Sequence, residues 1–139
     1  MSWILWALLS ALFAAATAIL AKIGVAHVDS NLATAVRTTV VVIFAWIIAV
    51  SLGKHNEIRT LDGRTLLFLG LSGLATGLSW LCYFRALQLG PASRVAPLDK
   101  LSVVLVLLFA AIFLGEKLTP MAILGGLLIT AGAVVMTLA

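Results

Sequence analysis

The sequence predicts an all-α membrane protein, five transmembrane helices in a compact bundle, and three observations carry that prediction. Five nearly uncharged segments, at about 2–22, 32–52, 65–88, 95–115 and 119–138, fill almost all of the 139 residues. Each approaches the roughly 20 apolar residues a helix needs to cross a hydrocarbon core of about 30 Å. The chain is also 63% hydrophobic and 10% charged, with a mean hydropathy of +1.23, whereas soluble domains are roughly half apolar and a quarter charged.

The first segment lacks a basic stretch before its apolar run and is followed by four more spans, so it reads as a retained helix rather than a secretory leader. Gly24 ends it, and Asp29, Ser30 and Asn31 offer side-chain oxygens to cap the second helix. Gly53 to Arg64 (GKHNEIRTLDGR) mixes charges of both signs and reads as the one substantial solvated loop. Gly90-Pro91 breaks the third span from the fourth. Between the fourth and fifth, GEKLTP supplies Gly115 as a C′ glycine, Thr119 as an N-cap and Pro120 at the first helical position. With no internal repeat or linker, residues 1–139 read as a single domain.

Lys and Arg residues do not choose an orientation. One side of the membrane holds Lys54, Arg59, Arg64 and Lys117, and the other Lys22, Arg37, Arg85 and Arg94, with Lys100 deeper. This balance suits a chain that inserts both ways, and equally one oriented by something other than charge.

Depth is more informative. Arg37, Arg85, Asp99 and Lys100 lie about five residues inside their spans, roughly 7 Å below the helix ends. Arg37, Arg85 and Lys100 are long enough to snorkel to the headgroups. Asp99 is not; near a helix centre it would cost about 2.5–3.5 kcal/mol, less at this depth, so it needs a partner or a wet cavity. Arg85 and Asp99 flank the Gly90-Pro91 turn at similar depth, so one option is a structural clamp between them.

The third span carries hydroxyls at Ser72, Thr76, Ser79 and Tyr83, one face of a 3.6-residue helix, with Trp80 and Phe84 beside them. The face either packs on a neighbouring helix or lines a wet path. Ser10, Ala14, Thr17 and Ala21 in the first span, and Ala122, Gly126, Thr130 and Ala133 in the fifth, form small-residue packing surfaces. Cys82 reads as a small packing residue. His27 and His55 have no second ligand at useful spacing, and no Ser-His-Asp, HExxH or glycine-rich phosphate pattern occurs, so neither an enzyme, a metal nor a cofactor is expected.

The run Tyr83-Phe84-Arg85-Ala86-Leu87 through Gly90-Pro91-Ala92-Ser93-Arg94-Val95-Ala96-Pro97, then Leu114-Gly115-Glu116-Lys117-Leu118-Thr119 and the Gly125-Gly126…Ala131-Gly132 helix, resembles the EamA domain of the drug/metabolite transporter superfamily. Typical members carry two five-helix domains of inverted topology, so the resemblance makes this chain half of a ten-helix transporter. It is more distantly similar to the small multidrug resistance proteins, whose first helix holds a glutamate that exchanges protons for cationic drugs. Phe13-Ala14-Ala15-Ala16-Thr17 in the comparable helix has no carboxylate, which argues against antiport of that kind.

The resemblance implies export or exchange of metabolites. A multi-pass protein of a prokaryotic inner membrane is expected, working as a homodimer with antiparallel copies as the expected arrangement, with a small-molecule substrate and no nucleic acid. Three basic intramembrane residues against one acidic favour a substrate with a carboxylate or other anionic group. Arg85 and Lys100 are expected to bind that group, with Asp99 orienting them or taking up a coupling proton. Trp80, Tyr83, Ser79, Thr76 and Arg37 would complete the site. Rival readings are a multidrug cation exporter using Asp99, and a non-transporting membrane subunit whose charges only clamp helices together.

Overall fold

Six α-helices and one 3-10 helix make up the computed structural model, which describes residues 2–138, and among those residues there is no strand. The α-helices are α1 (Trp3–Gly24), α2 (Ser30–Ser51), α3 (Gly63–Leu89), α4 (Ala92–Asp99), α5 (Leu101–Phe113) and α6 (Pro120–Leu138). α4 and α5 together form one span, so five are long and apolar enough to cross a bilayer. The protein is thus an all-α membrane protein.

The caps explain most of the boundaries. Asp29 accepts from the backbone N–H groups of Asn31 (2.9 Å) and Leu32 (3.2 Å), which starts α2 at Ser30 rather than Leu32. The Asp62 carbonyl receives the Leu66 N–H, opening α3 at Gly63, two residues before the expected start. Thr119 Oγ1 accepts from Ala122 N–H at 3.1 Å and Pro120 opens α6, as the sequence predicted. Gly53 and Gly115 take positive φ, 71° and 68°, two residues beyond α2 and α5, where a side chain would strain the backbone. Because Gly115 turns the chain there, the fourth span ends at Phe113 rather than residue 115. Lys54–Thr60, expected as solvated loop, forms an exposed 3-10 helix tied by a Lys54–Glu57 ion pair of 2.6 Å.

The fourth span departs furthest from expectation. It begins at Ala92, directly after Pro91, and breaks at Lys100. Pro97 has no N–H to give the carbonyl four residues back, which weakens the last turn of α4. Lys100 N–H instead reaches the Pro97 carbonyl at 3.1 Å, a tighter turn, before α5 resumes.

The chain divides into two compact units. One comprises residues 2–22 and 89–138, where α4 and α5 both pack on α6. Its buried residues are small: Ala18, Ala21, Gly126 and Ala133. A Cβ added to Gly126 would meet Leu107 Cδ1 at 3.5 Å, an ordinary van der Waals contact, so α5 lies close beside α6 there with room for a methyl group. Ser10 and Ala14 of the expected first-span packing face are exposed; the buried positions of α1 are Ala18 and Ala21. The other unit, residues 23–88, holds α2 and α3, with Val25, Ser30, Thr34, Phe84 and Leu87 buried. Cys82 is exposed rather than packed.

Candidate functional site

In the α2–α3 unit the chemistry gathers around Arg37. Its guanidinium carbon lies 4.2 Å from the centroid of the Trp80 ring and 5.4 Å from that of Phe84. Arg37 stands seven residues after Ser30, about 10 Å along α2. The aromatic faces supply the electron density that lets a cation sit there, a contact worth about 0.5–2 kcal/mol according to how dry it is. Tyr83 follows Trp80 by three residues, one helical turn further along α3. None of the unit's three carboxylates is the partner of this cation. Asp29 caps α2, Glu57 holds Lys54, and Asp62 accepts from Thr65.

Beside this cluster runs an open groove of about 420 Å³ between α2 and α3. Asn31, Thr34 and Thr38 line it from α2, and Gly73, Gly77 and Leu78 from α3. A Cβ added at Gly73 or Gly77 would meet nothing within 4 Å, so these glycines open space rather than admit a neighbouring backbone. Thr34 and Thr38 donate to the Ser30 and Thr34 carbonyls, at 2.8 and 2.7 Å.

On the hydroxyl face of α3, Ser72, Thr76 and Ser79 are exposed and Tyr83 is half-buried. Thr76 donates to the Ser72 carbonyl at 2.9 Å. Nearer the end of α3, Arg85 donates to Gln88 Oε1 at 2.7 Å, and Gln88 Nε2 donates to the Val28 carbonyl at 3.0 Å. Arg85 thus meets an amide, while the ring beside the hydroxyls, Trp80, serves Arg37.

In the other unit, the break between α4 and α5 presents Asp99 and Lys100 side by side. Lys100 Nζ lies 3.6 Å from Asp99 Oδ2, with the side chains 58% and 39% exposed, so this is a loose, solvent-accessible pair. Lys100 also lines an almost wholly apolar groove of about 630 Å³ with Ala15 and Ala18 of α1, Ser93 of α4, and Gly132 and Met136 of α6. At the start of α4, Lys22 Nζ donates to the Gly90 carbonyl at 2.9 Å, fixing the turn that opens the span.

The expected site residues therefore fall in two places: Arg37, Thr76, Ser79, Trp80, Tyr83 and Arg85 in the α2–α3 unit, and Asp99 and Lys100 in the other. A family model described as the EamA-like transporter family matches residues 1–138. The chain belongs to the EamA-like transporter family. A curated protein of Sinorhizobium sp., named "Uncharacterized transporter in cobO 3'region", is 56% identical over 135 residues, covering 97% of this chain and 96% of that protein. No solved structure matches the chain significantly.

As an EamA-like transporter with five spans, the protein is an integral, multi-pass membrane transporter. Sequence reasoning missed the α2–α3 groove and the pairing of Arg37 with Trp80. The groove left a signal: Gly73 and Gly77, four residues apart, and Thr34 and Thr38, likewise four apart, each mark one small or polar helix face.

Proposed function

We propose that this transporter exports or exchanges small metabolites bearing a carboxylate or other anionic group, and that it works as an antiparallel homodimer in a prokaryotic inner membrane. The observation that carries the reading is the charge balance at positions four or more residues inside the ends of the spans. Arg37 rests on rings, Arg85 on an amide, and Lys100 on Asp99, the single acidic residue against three basic ones. Ionisable groups at membrane depth are stable when paired or facing a wet cavity, and a substrate anion would supply the missing negative charge.

The cation-exporter reading is weaker, because its carboxylate already has an ammonium group 3.6 Å away and its best ring is covered by a guanidinium. For assembly, support comes from the Sinorhizobium relative, 96% of which the match covers, so that protein is one such unit long. Inverted repeats around a site near the midplane are a common route to alternating access, and a dimer of opposed copies reproduces them.

The test is flux into proteoliposomes, comparing small carboxylates with amines of the same carbon skeleton. Uptake restricted to the carboxylates is expected; uptake restricted to the amines, or none of either above protein-free vesicles, overturns the substrate reading. For topology, His55→Cys in a Cys82→Ala background should be labelled partly from each side of the membrane. Labelling wholly from one side removes the antiparallel dimer.

A further inference from the structure

We propose that the groove between α2 and α3 is an anion-selecting subsite for an organic carboxylate, with Arg37 as its binding group and Trp80 as the residue that positions Arg37. The proposal rests on the anionic-substrate reading and gives it a place.

Helical spacing puts the parts together. Arg37 is three residues from Thr34 and adjacent to Thr38, both groove residues, and Trp80 is three from Gly77 and adjacent to Leu81, again both groove residues. Arg37 and Trp80 are not themselves among the lining residues; they flank the groove, each within one helical turn of residues that line it on the same two helices. At about 420 Å³ the space is within the range of roughly 300–1,000 Å³ usual for small-molecule sites. Its walls are mainly Ala35, Leu74, Leu78, Leu81 and the two glycines, which suit an apolar body.

The polar groups decide which ligand end meets which wall. The Thr34 and Thr38 hydroxyl protons are committed to backbone carbonyls of their own helix, so these residues do not compete as donors. Arg37, by contrast, offers a planar fork of N–H donors. The Trp80 ring, 4.2 Å from the guanidinium carbon, offers the N–H groups no hydrogen-bond acceptor, so the fork is suited to a bidentate partner. A carboxylate is planar and takes two parallel N–H bonds, and no carboxylate of the unit occupies that position. An ammonium ligand would meet like charge.

Thiols placed along α3, two in the groove and one beyond it, test this without knowledge of the natural ligand. Gly77→Cys, Gly73→Cys and Gly70→Cys, each made singly in a Cys82→Ala background, add a side chain where a Cβ meets nothing within 4 Å. Each full-length protein, in proteoliposomes, is treated with an anionic sulfonatoethyl and a cationic trimethylammonioethyl methanethiosulfonate. The ratio of their rates, normalised to the same reagents on a free thiol, reads the local potential. It should favour the anion most at Gly77→Cys and fall stepwise towards Gly70→Cys, about 10 Å further along α3. Adding Arg37→Gln should cut the ratio at Gly77→Cys by about tenfold or more, the effect of one unit charge at close range in a medium drier than water. Trp80→Leu should cut it by a smaller factor while leaving the charge in place.

An unreactive thiol at Gly77→Cys, a flat ratio along the three positions, or a ratio indifferent to Arg37→Gln overturns the subsite. The gradient needs no change at Arg37, so it decides the matter even if Arg37→Gln does not fold. Carboxylate flux that persists alongside a flat ratio would place the anion site elsewhere and spare the transport reading. A steep, Arg37-dependent ratio without carboxylate flux would keep the subsite and remove that reading.

Discussion

Severing the contact between Arg37 and Trp80 should reveal a coupling between them. The perturbation is a double-mutant cycle of Arg37→Met, Trp80→Leu and the pair together; each change keeps an apolar body of useful size and removes the cation or the ring. The guanidinium carbon is 4.2 Å from the Trp80 centroid, well inside the roughly 6 Å limit for cation–π attraction. Both side chains are half-buried. Such contacts span about 0.5–1 kcal/mol when exposed to about 2 kcal/mol when desolvated, so a half-buried pair should couple by about 1–1.5 kcal/mol. Phe84, at 5.4 Å, keeps part of the cation's stabilisation in Trp80→Leu and holds the coupling below the upper limit. Reversible unfolding in mixed micelles, followed by circular dichroism, supplies the four free energies. Additive effects, within about 0.3–0.5 kcal/mol, would refute the reasoning and leave Arg37 and Trp80 as independent neighbours.

Asp99→Asn should fold with a loss below about 1 kcal/mol, since its partner is an exposed, loosely placed lysine; a thermal scan in detergent checks this. If Asp99 also carries a coupling proton, the folded variant loses the response of flux to a pH gradient, and an intact response rejects that role. Asp62 lies outside the spans, and the Thr65 hydroxyl and nearby backbone N–H groups hold its carboxyl below the ordinary 3.8. A depressed folded value stabilises above the unfolded pKa and ceases to do so as pH falls through the folded one. The melting advantage of wild type over Asp62→Asn should accordingly be complete above 3.8 and fade at more acid pH; an advantage unchanged by acid contradicts the assignment. The hydroxyl pattern of α3 on its own would have cysteines replacing Ser72, Thr76, Ser79 and Tyr83 in a Cys82→Ala background react with water-soluble thiol reagents while Leu74, Leu78 and Leu81 replacements stay shielded. That expectation competes with the groove, which Leu74, Leu78 and Leu81 line, so reactivity at the leucines instead would move the wet path to the α2 side.

What the sequence made legible was mostly local. Pro120, Thr119, Gly115 and Asp29 act within a few residues of themselves, and their roles were readable because capping chemistry depends on spacing alone. The break at Lys100 was also local, and Pro97 announced it, yet the apolar run on either side masked the interruption. Partner choice was harder. Arg85 and Asp99 invite pairing because they flank one turn, but Arg85 has Gln88 one turn away, and Asp99 has Lys100 beside it. The Arg37–Trp80 contact was half legible: Arg37 precedes Ser51 by 14 residues and Trp80 follows Gly63 by 17, so an α2–α3 hairpin puts them at similar depth. Which faces of α2 and α3 meet depends on packing between helices, and no pattern within one helix records it.

The hydroxyls inside the helices have one further consequence. Thr34, Thr38, Thr39, Thr76, Thr130 and Thr137 all donate to the carbonyl four residues back in their own helix, at 2.7–3.0 Å. A hydroxyl satisfied in this way moves with its helix and makes no demand on the next one. The long-range side-chain hydrogen bonds sit instead near helix ends, where Lys22 reaches Gly90 and Gln88 reaches Val28. For a membrane transporter, this is a low-friction arrangement. Helices can slide or rock against one another without breaking these threonine bonds, while polar ties at their ends keep the connections in register.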